Sequence, residues 1–164
     1  MTQLSGDWKL ASGDQQEGKA TKHKLVAPMI GTDQTAMAFK IIGKGSTVQK
    51  DLLLGSKKQM VTMYHFEDDD CNQLRATHYC GKQNQPRLLA NLKETMANRL
   101  VFNCDMSTEL CDSKSDHVHS ITHKLGDDGT ELRTTYVSWK GGKHLKEIGV
   151  RLRQEITEAP GAVG

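Results

Sequence analysis

Residues 60–87, M-V-T-M-Y-H-F-E-D-D-D-C-N-Q-L-R-A-T-H-Y-C-G-K-Q-N-Q-P-R, decide the reading of the fold. The first ten or so positions favour β structure, Asp68-Asp69-Asp70 forms an acidic turn, and residues 73–80 alternate before the polar loop 81–86. This order predicts a β-hairpin followed by an ordered loop. Successive strand side chains face opposite ways. Leu74, Ala76, His78 and Cys80 therefore share an apolar face, with Gln73, Arg75, Thr77 and Tyr79 on the other. His78 and Cys80 are expected to point into whatever the sheet encloses. On the first arm either Val61-Met63-His65 or Thr62-Tyr64-Phe66 faces inward, and periodicity leaves both open.

The same pattern extends both ways. Residues 6–10 read as a first strand anchored by Trp8, residues 12–21 as a mobile loop, and residues 22–26 as a second strand. Met37, Phe39 and Ile41 alternate up to Gly43-Lys44-Gly45, and residues 47–54 complete a hairpin. Residues 87–94 read as strand, although their composition also permits a helix over 88–98. Leu100, Phe102, Cys104 and Met106 share one strand face. Residues 107–116 are turn-like, and His117, His119, Ile121, His123 and Leu125 then line one face of a further strand. Turns at 126–129 and Gly141-Gly142 lead into two last strands, and residues 155–164 are expected to fray. The sum is one all-β domain over residues 1–164, an antiparallel up-and-down β-barrel of about 8–10 strands, since closure removes exposed edges.

Composition narrows the function classes. A formal net charge of +2, with lysines scattered along the chain, offers no nucleic-acid footprint. No apolar run approaches the roughly 20 residues of a membrane span. The N-terminal residues lack the apolar core of a signal peptide, and a removed leader would leave no trace. The four cysteines, Cys71, Cys80, Cys104 and Cys111, contain no C-x-x-C pair and are expected as reduced thiols in a cytoplasmic protein, a monomer or homodimer.

The motifs T-H-Y-C (77–80), N-Q-P-R (84–87), H-V-H-S (117–120) and V-S-W-K-G-G-K (137–143) occur in an order that resembles a group of uncharacterised bacterial lipocalin-like proteins. In that group a G-S-x-V strand (Gly45-Ser46-Thr47-Val48 here) and M-V-T-x-Y-H (60–65) come before them. The match covers roughly residues 38–153; the long polar insertion after Trp8 departs from it. The resemblance implies a calycin-type barrel with an interior cavity and carries no established activity.

Histidine and cysteine interrupt otherwise apolar faces at His78, Cys80, Cys104, His117 and His119, with His65 on the undecided face. Side chains at i and i+2 project together, so His117 with His119, and His78 with Cys80, can converge. The expected role is to anchor an apolar or amphipathic small molecule in a cavity walled by Phe39, Leu74, Leu100, Phe102, Ile121 and Tyr136. Asn84, Gln85 and Arg87 would form a polar lip at the mouth, or Arg87 would pack over Trp8 or Trp139. No cofactor is expected. The alternatives are a metal- or haem-dependent enzyme using zinc or haem at His78, Cys80, His117 and His119, and a filled barrel serving as an interaction module. His123, nearer a turn, reads as a solvated histidine. The plainest reading makes these histidines hydrogen-bonded polar groups inside a cavity.

Overall fold

Alternation of apolar and polar residues turns into ten antiparallel strands in the computed structural model, which describes residues 1–155. They are β1 (Gly6–Leu10), β2 (Thr35–Ile42), β3 (Thr47–Leu52), β4 (Met60–Phe66), β5 (Leu74–Tyr79), β6 (Arg87–Ala90), β7 (Arg99–Cys104), β8 (His117–Leu125), β9 (Glu131–Lys140) and β10 (Lys143–Arg153). Each pairs with its sequence neighbours, and Lys9↔Arg153 and Leu10↔Leu152 join β1 to β10 to close the barrel. The expected all-β up-and-down barrel is the observed architecture. Gly141 and Gly142 form the two-residue turn between β9 and β10, both at positive φ as a tight hairpin of matching twist requires. Nearly all of the tail expected to fray, residues 156–164, lies outside the described residues.

The interior is packed at one end. Phe39, Phe102, Ile121 and Leu132 are fully buried there, and Trp8 is held by a 2.8 Å bond from its Nε1 to the Leu4 carbonyl. On β4 the buried face is Thr62 and Tyr64, so His65 faces outward. No helix among the described residues is long and apolar enough to cross a membrane.

Two expectations for the N-terminal third are corrected. Residues 12–21 are ordered by short 3-10 turns at Gly13–Gln15 and Gly18–Lys22. Gln16 acts as a surrogate strand: its Nε2 donates to the carbonyls of Ala11 (3.1 Å) and Arg151 (2.7 Å), and its Oε1 accepts from the Arg151 amide at 2.9 Å. Residues 22–26 form no strand; turns lead into a further 3-10 turn, Ala27–Met29, and Ala20, Val26 and Met29 join the core.

The third correction is a bulge in β8. Val118 lies opposite Ser138, yet Ser120 lies opposite Val137, so one extra residue occupies this strand. Parity reverses across it. Val118 faces the interior before the bulge, and Ile121 and His123 face it afterwards. His117 and His119 therefore lie on the outer face of β8 rather than beside Ile121.

Candidate functional site

The end of the barrel opposite Trp8 holds a cavity of about 230 Å³. Its wall is aliphatic, from Leu25, Val26, Leu52, Val118, Ile148 and Val150, and its polar groups include His78, Cys80, Tyr136 and Ser138. Lys58, Lys82, Lys146 and His23 also line it. Lys82 pairs with Asp116 and donates to Ser138 Oγ at 3.1 Å, while Lys58 and Lys146 make no ion pair among the described residues.

Behind Tyr136 lies the most unusual group of the interior. Lys50 is completely buried, and its Nζ lies 2.8 Å from the Tyr136 hydroxyl and 4.8 Å from the centre of that ring. The Tyr64 ring is 5.7 Å away on another side. No carboxylate among the described residues is within ion-pair distance of Lys50. Burial alone lowers its pKa from 10.5 to about 7. A buried ammonium without a counter-charge costs several kcal/mol. Sequence reasoning missed this residue, although Val48-x-Lys50-x-Leu52 places the lysine on an apolar face.

Its neighbours are kept neutral. His78, fully buried, shares a 2.8 Å hydrogen bond between Nδ1 and Thr62 Oγ1; burial, then Lys50 and Lys82, hold it down to about 3. His123, expected in solvent, is enclosed between Tyr64 and Thr134, and burial with help from Lys50 and the chain N-terminus drives its pKa far below the ordinary value. Burial likewise pushes the Tyr136 hydroxyl well above its usual range. Lys50 is thus a fully buried amine surrounded by neutral donors and acceptors, behind a cavity whose other lysines are not fully buried.

The remaining expected site residues distribute as follows. Cys80 is a free, half-buried thiol at the cavity wall. Phe102 packs edge-on against Tyr64 in the filled half and does not reach the cavity; of the six expected wall residues only Tyr136 does. Loop 81–86 contributes Gly81 and Lys82 to the cavity rather than Asn84, Gln85 or Arg87. Asn84 Nδ2 donates to the Asp116 carbonyl at 2.9 Å, Gln85 is exposed, and Arg87 pairs with Glu67 at 2.9 Å rather than covering a tryptophan. His65 is bound to its neighbour's carbonyl outside the barrel.

The proposed convergence of His78 and Cys80 with His117 and His119 does not occur. Instead His117 Nε2 lies 2.9 Å from His119 Nδ1, and His119 lies flat on Trp139. Burial, then His117, lowers His119 to about 4. Beside this pair Cys104 is joined to Cys111 by a disulfide, correcting the expectation of reduced thiols at these two positions. Cys71 and Cys80 remain free.

No protein-family model, curated protein or solved structure matches this chain.

Proposed function

We propose that the barrel binds a small amphipathic anion, with its acid group toward Tyr136 and Lys50 and its apolar part against the aliphatic wall. The observation that carries this reading is the buried, unpaired Lys50 behind a cavity that contains further lysines. When Lys50 donates to the Tyr136 oxygen, the Tyr136 proton is left for an acceptor in the cavity. An acid group placed there supplies the counter-charge that the protein itself withholds. His78 and His123 act as neutral neighbours, and this reading of the cavity calls on no metal, haem or other cofactor. The resemblance to lipocalin-like proteins supports the same reading, since it implies an interior cavity. The modest volume favours a small ligand.

Calorimetric titration with octanoate and with octanol tests it. Octanoate should bind about tenfold tighter or more, equivalent to about 1.4 kcal/mol. Lys50→Met should remove that preference while leaving octanol binding intact. Equal affinity for the acid and the alcohol in the unaltered protein, or binding of neither, would sink the proposal.

A further inference from the structure

A second cluster lies away from the cavity, where β7 ends and β8 begins. One donor atom from each of Cys104, His117 and His119 lies within 4.8 Å of the other two. Residues 105–116 fold back to bring a fourth donor, Cys111, to Cys104, with Cα atoms 5.6 Å apart. Two sulfurs and two imidazoles are a common donor set for tetrahedral zinc.

The histidines are arranged as ligands are. His117 Nδ1 lies 2.7 Å from the Ser115 carbonyl, which places a proton on Nδ1 and turns the Nε2 lone pair toward the cluster. Such a carbonyl contact is the usual support behind a metal-bound imidazole. His117 Nε2 and His119 Nδ1 stand 2.9 Å apart. Two nitrogens bound tetrahedrally at about 2.05 Å would stand about 3.3 Å apart, so a small separation admits an ion. Trp139 fixes the plane of the second ring, stacked at 3.7 Å and 9°. Cys104 and His117 are buried and His119 is half-exposed, which leaves a side for entry. The local order, Cys104-x6-Cys111-x5-His117-x-His119, puts the whole set in one short segment.

We propose that Cys104, Cys111, His117 and His119 hold a zinc ion in the reduced protein, and that the disulfide is the metal-free state of the same cluster. Two small-molecule thiols reduce the disulfide, giving two cysteine thiols and one small-molecule disulfide. Zinc binding then releases the two thiol protons as both thiolates coordinate. In reverse, a small-molecule disulfide takes two electrons from the zinc-bound thiolates. Cys104 and Cys111 become bonded, the two departing small-molecule thiolates take two protons from solvent, and the ion leaves. Occupancy and oxidation exclude each other because a sulfur spent in a disulfide is no longer a thiolate. This site is independent of the cavity reading, and octanoate binding does not report on it.

The untagged full chain, reduced with a phosphine and freed of metal, is titrated with Co2+ and then Zn2+. The expected result is one equivalent of Co2+ with tetrahedral d–d bands and a sulfur-to-cobalt charge-transfer band, bleached by one equivalent of Zn2+. The oxidised protein should show none of this. His119→Gln, at a half-exposed position, should bind more weakly by on the order of a hundredfold or more, while His65→Gln should bind as the unaltered chain does. Absence of the bands in reduced, folded protein overturns the proposal, as does equal binding by His119→Gln or by the oxidised chain. If reduction alone unfolds the barrel, circular dichroism gives the answer. Zn2+ should restore the β signal in the unaltered chain but not in His119→Gln, and failure to restore it overturns the proposal.

Discussion

The Tyr64 hydroxyl and His123 Nε2 share a hydrogen bond of 2.8 Å inside the barrel. On the other side of the ring, Nδ1 shares one of 2.9 Å with the Thr134 hydroxyl. Two hydroxyls, each able to donate or accept, satisfy a neutral imidazole in either tautomer. A second proton on His123 would turn its accepting nitrogen into a donor and place a charge near Lys50. The ring therefore stays neutral in the folded state.

Acid should destabilise the fold well before its carboxylates are neutralised. Burial depresses both His78 and His123 below the ordinary 6.5, with Lys50 adding to both, Lys82 to His78 and the chain N-terminus to His123. Below pH 6.5 the unfolded chain binds protons that the folded chain refuses, so the histidines' contribution to stability is complete above that value and falls as pH drops toward 3. Each histidine contributes up to about 1.4 kcal/mol per pH unit. Urea unfolding at pH 7 and pH 5 measures this. An unchanged midpoint would contradict the assigned neutrality.

Lys50→Met should stabilise the protein. The folded-state pKa of about 7 lies below the ordinary 10.5, so the unfolded chain binds more protons between these values and stability climbs with pH across that window. Methionine fills similar space without a charge, and the expected gain at pH 7 is about 1–4 kcal/mol. The climb between pH 7 and pH 10 should flatten in the variant. Thermal unfolding at pH 7, 8.5 and 10 checks both effects; a less stable variant with the climb retained would show that Lys50 is not the group responsible.

Gln16→Ala tests the surrogate strand. It leaves the buried Ala11 carbonyl and the Arg151 amide short of their partner, while the Arg151 carbonyl keeps the Ala11 amide at 2.9 Å; the cost is about 1–3 kcal/mol. Limited trypsin digestion should then cut faster after Lys19, Lys22 and Lys24. Unchanged unfolding and digestion would return the segment to the status of a loose loop.

The barrel was legible because it depends on a period of two repeated along the chain. β5 shows this best: Leu74, Ala76, His78 and Cys80 face inward as read from alternation alone. The errors arose where structure departs from local periodicity. A bulge such as that at Val118/Ser120 belongs to the pairing of two strands, so nothing in β8 alone announces it. Gln16 forms strand-like bonds through a side chain, which apolar patterning cannot register. Lys50 was readable in principle from Val48 and Leu52 on its own face, but a lysine between Gln49 and Asp51 is ordinarily taken for a solvated one.

The extra residue in β8 also gives that strand two addresses. Up to and including it, imidazoles stand outside the wall beside a disulfide; after it, an imidazole is sealed within the wall and held neutral. The residue between Val118 and Ser120 is His119 itself, so the irregularity in the ladder and the second nitrogen of the outer cluster are one and the same residue. Its loss would let β8 and β9 run in unbroken register, with Val118 and Ile121 still inside and His117 still outside. The barrel would be tidied and the outer cluster halved in its nitrogens at a stroke.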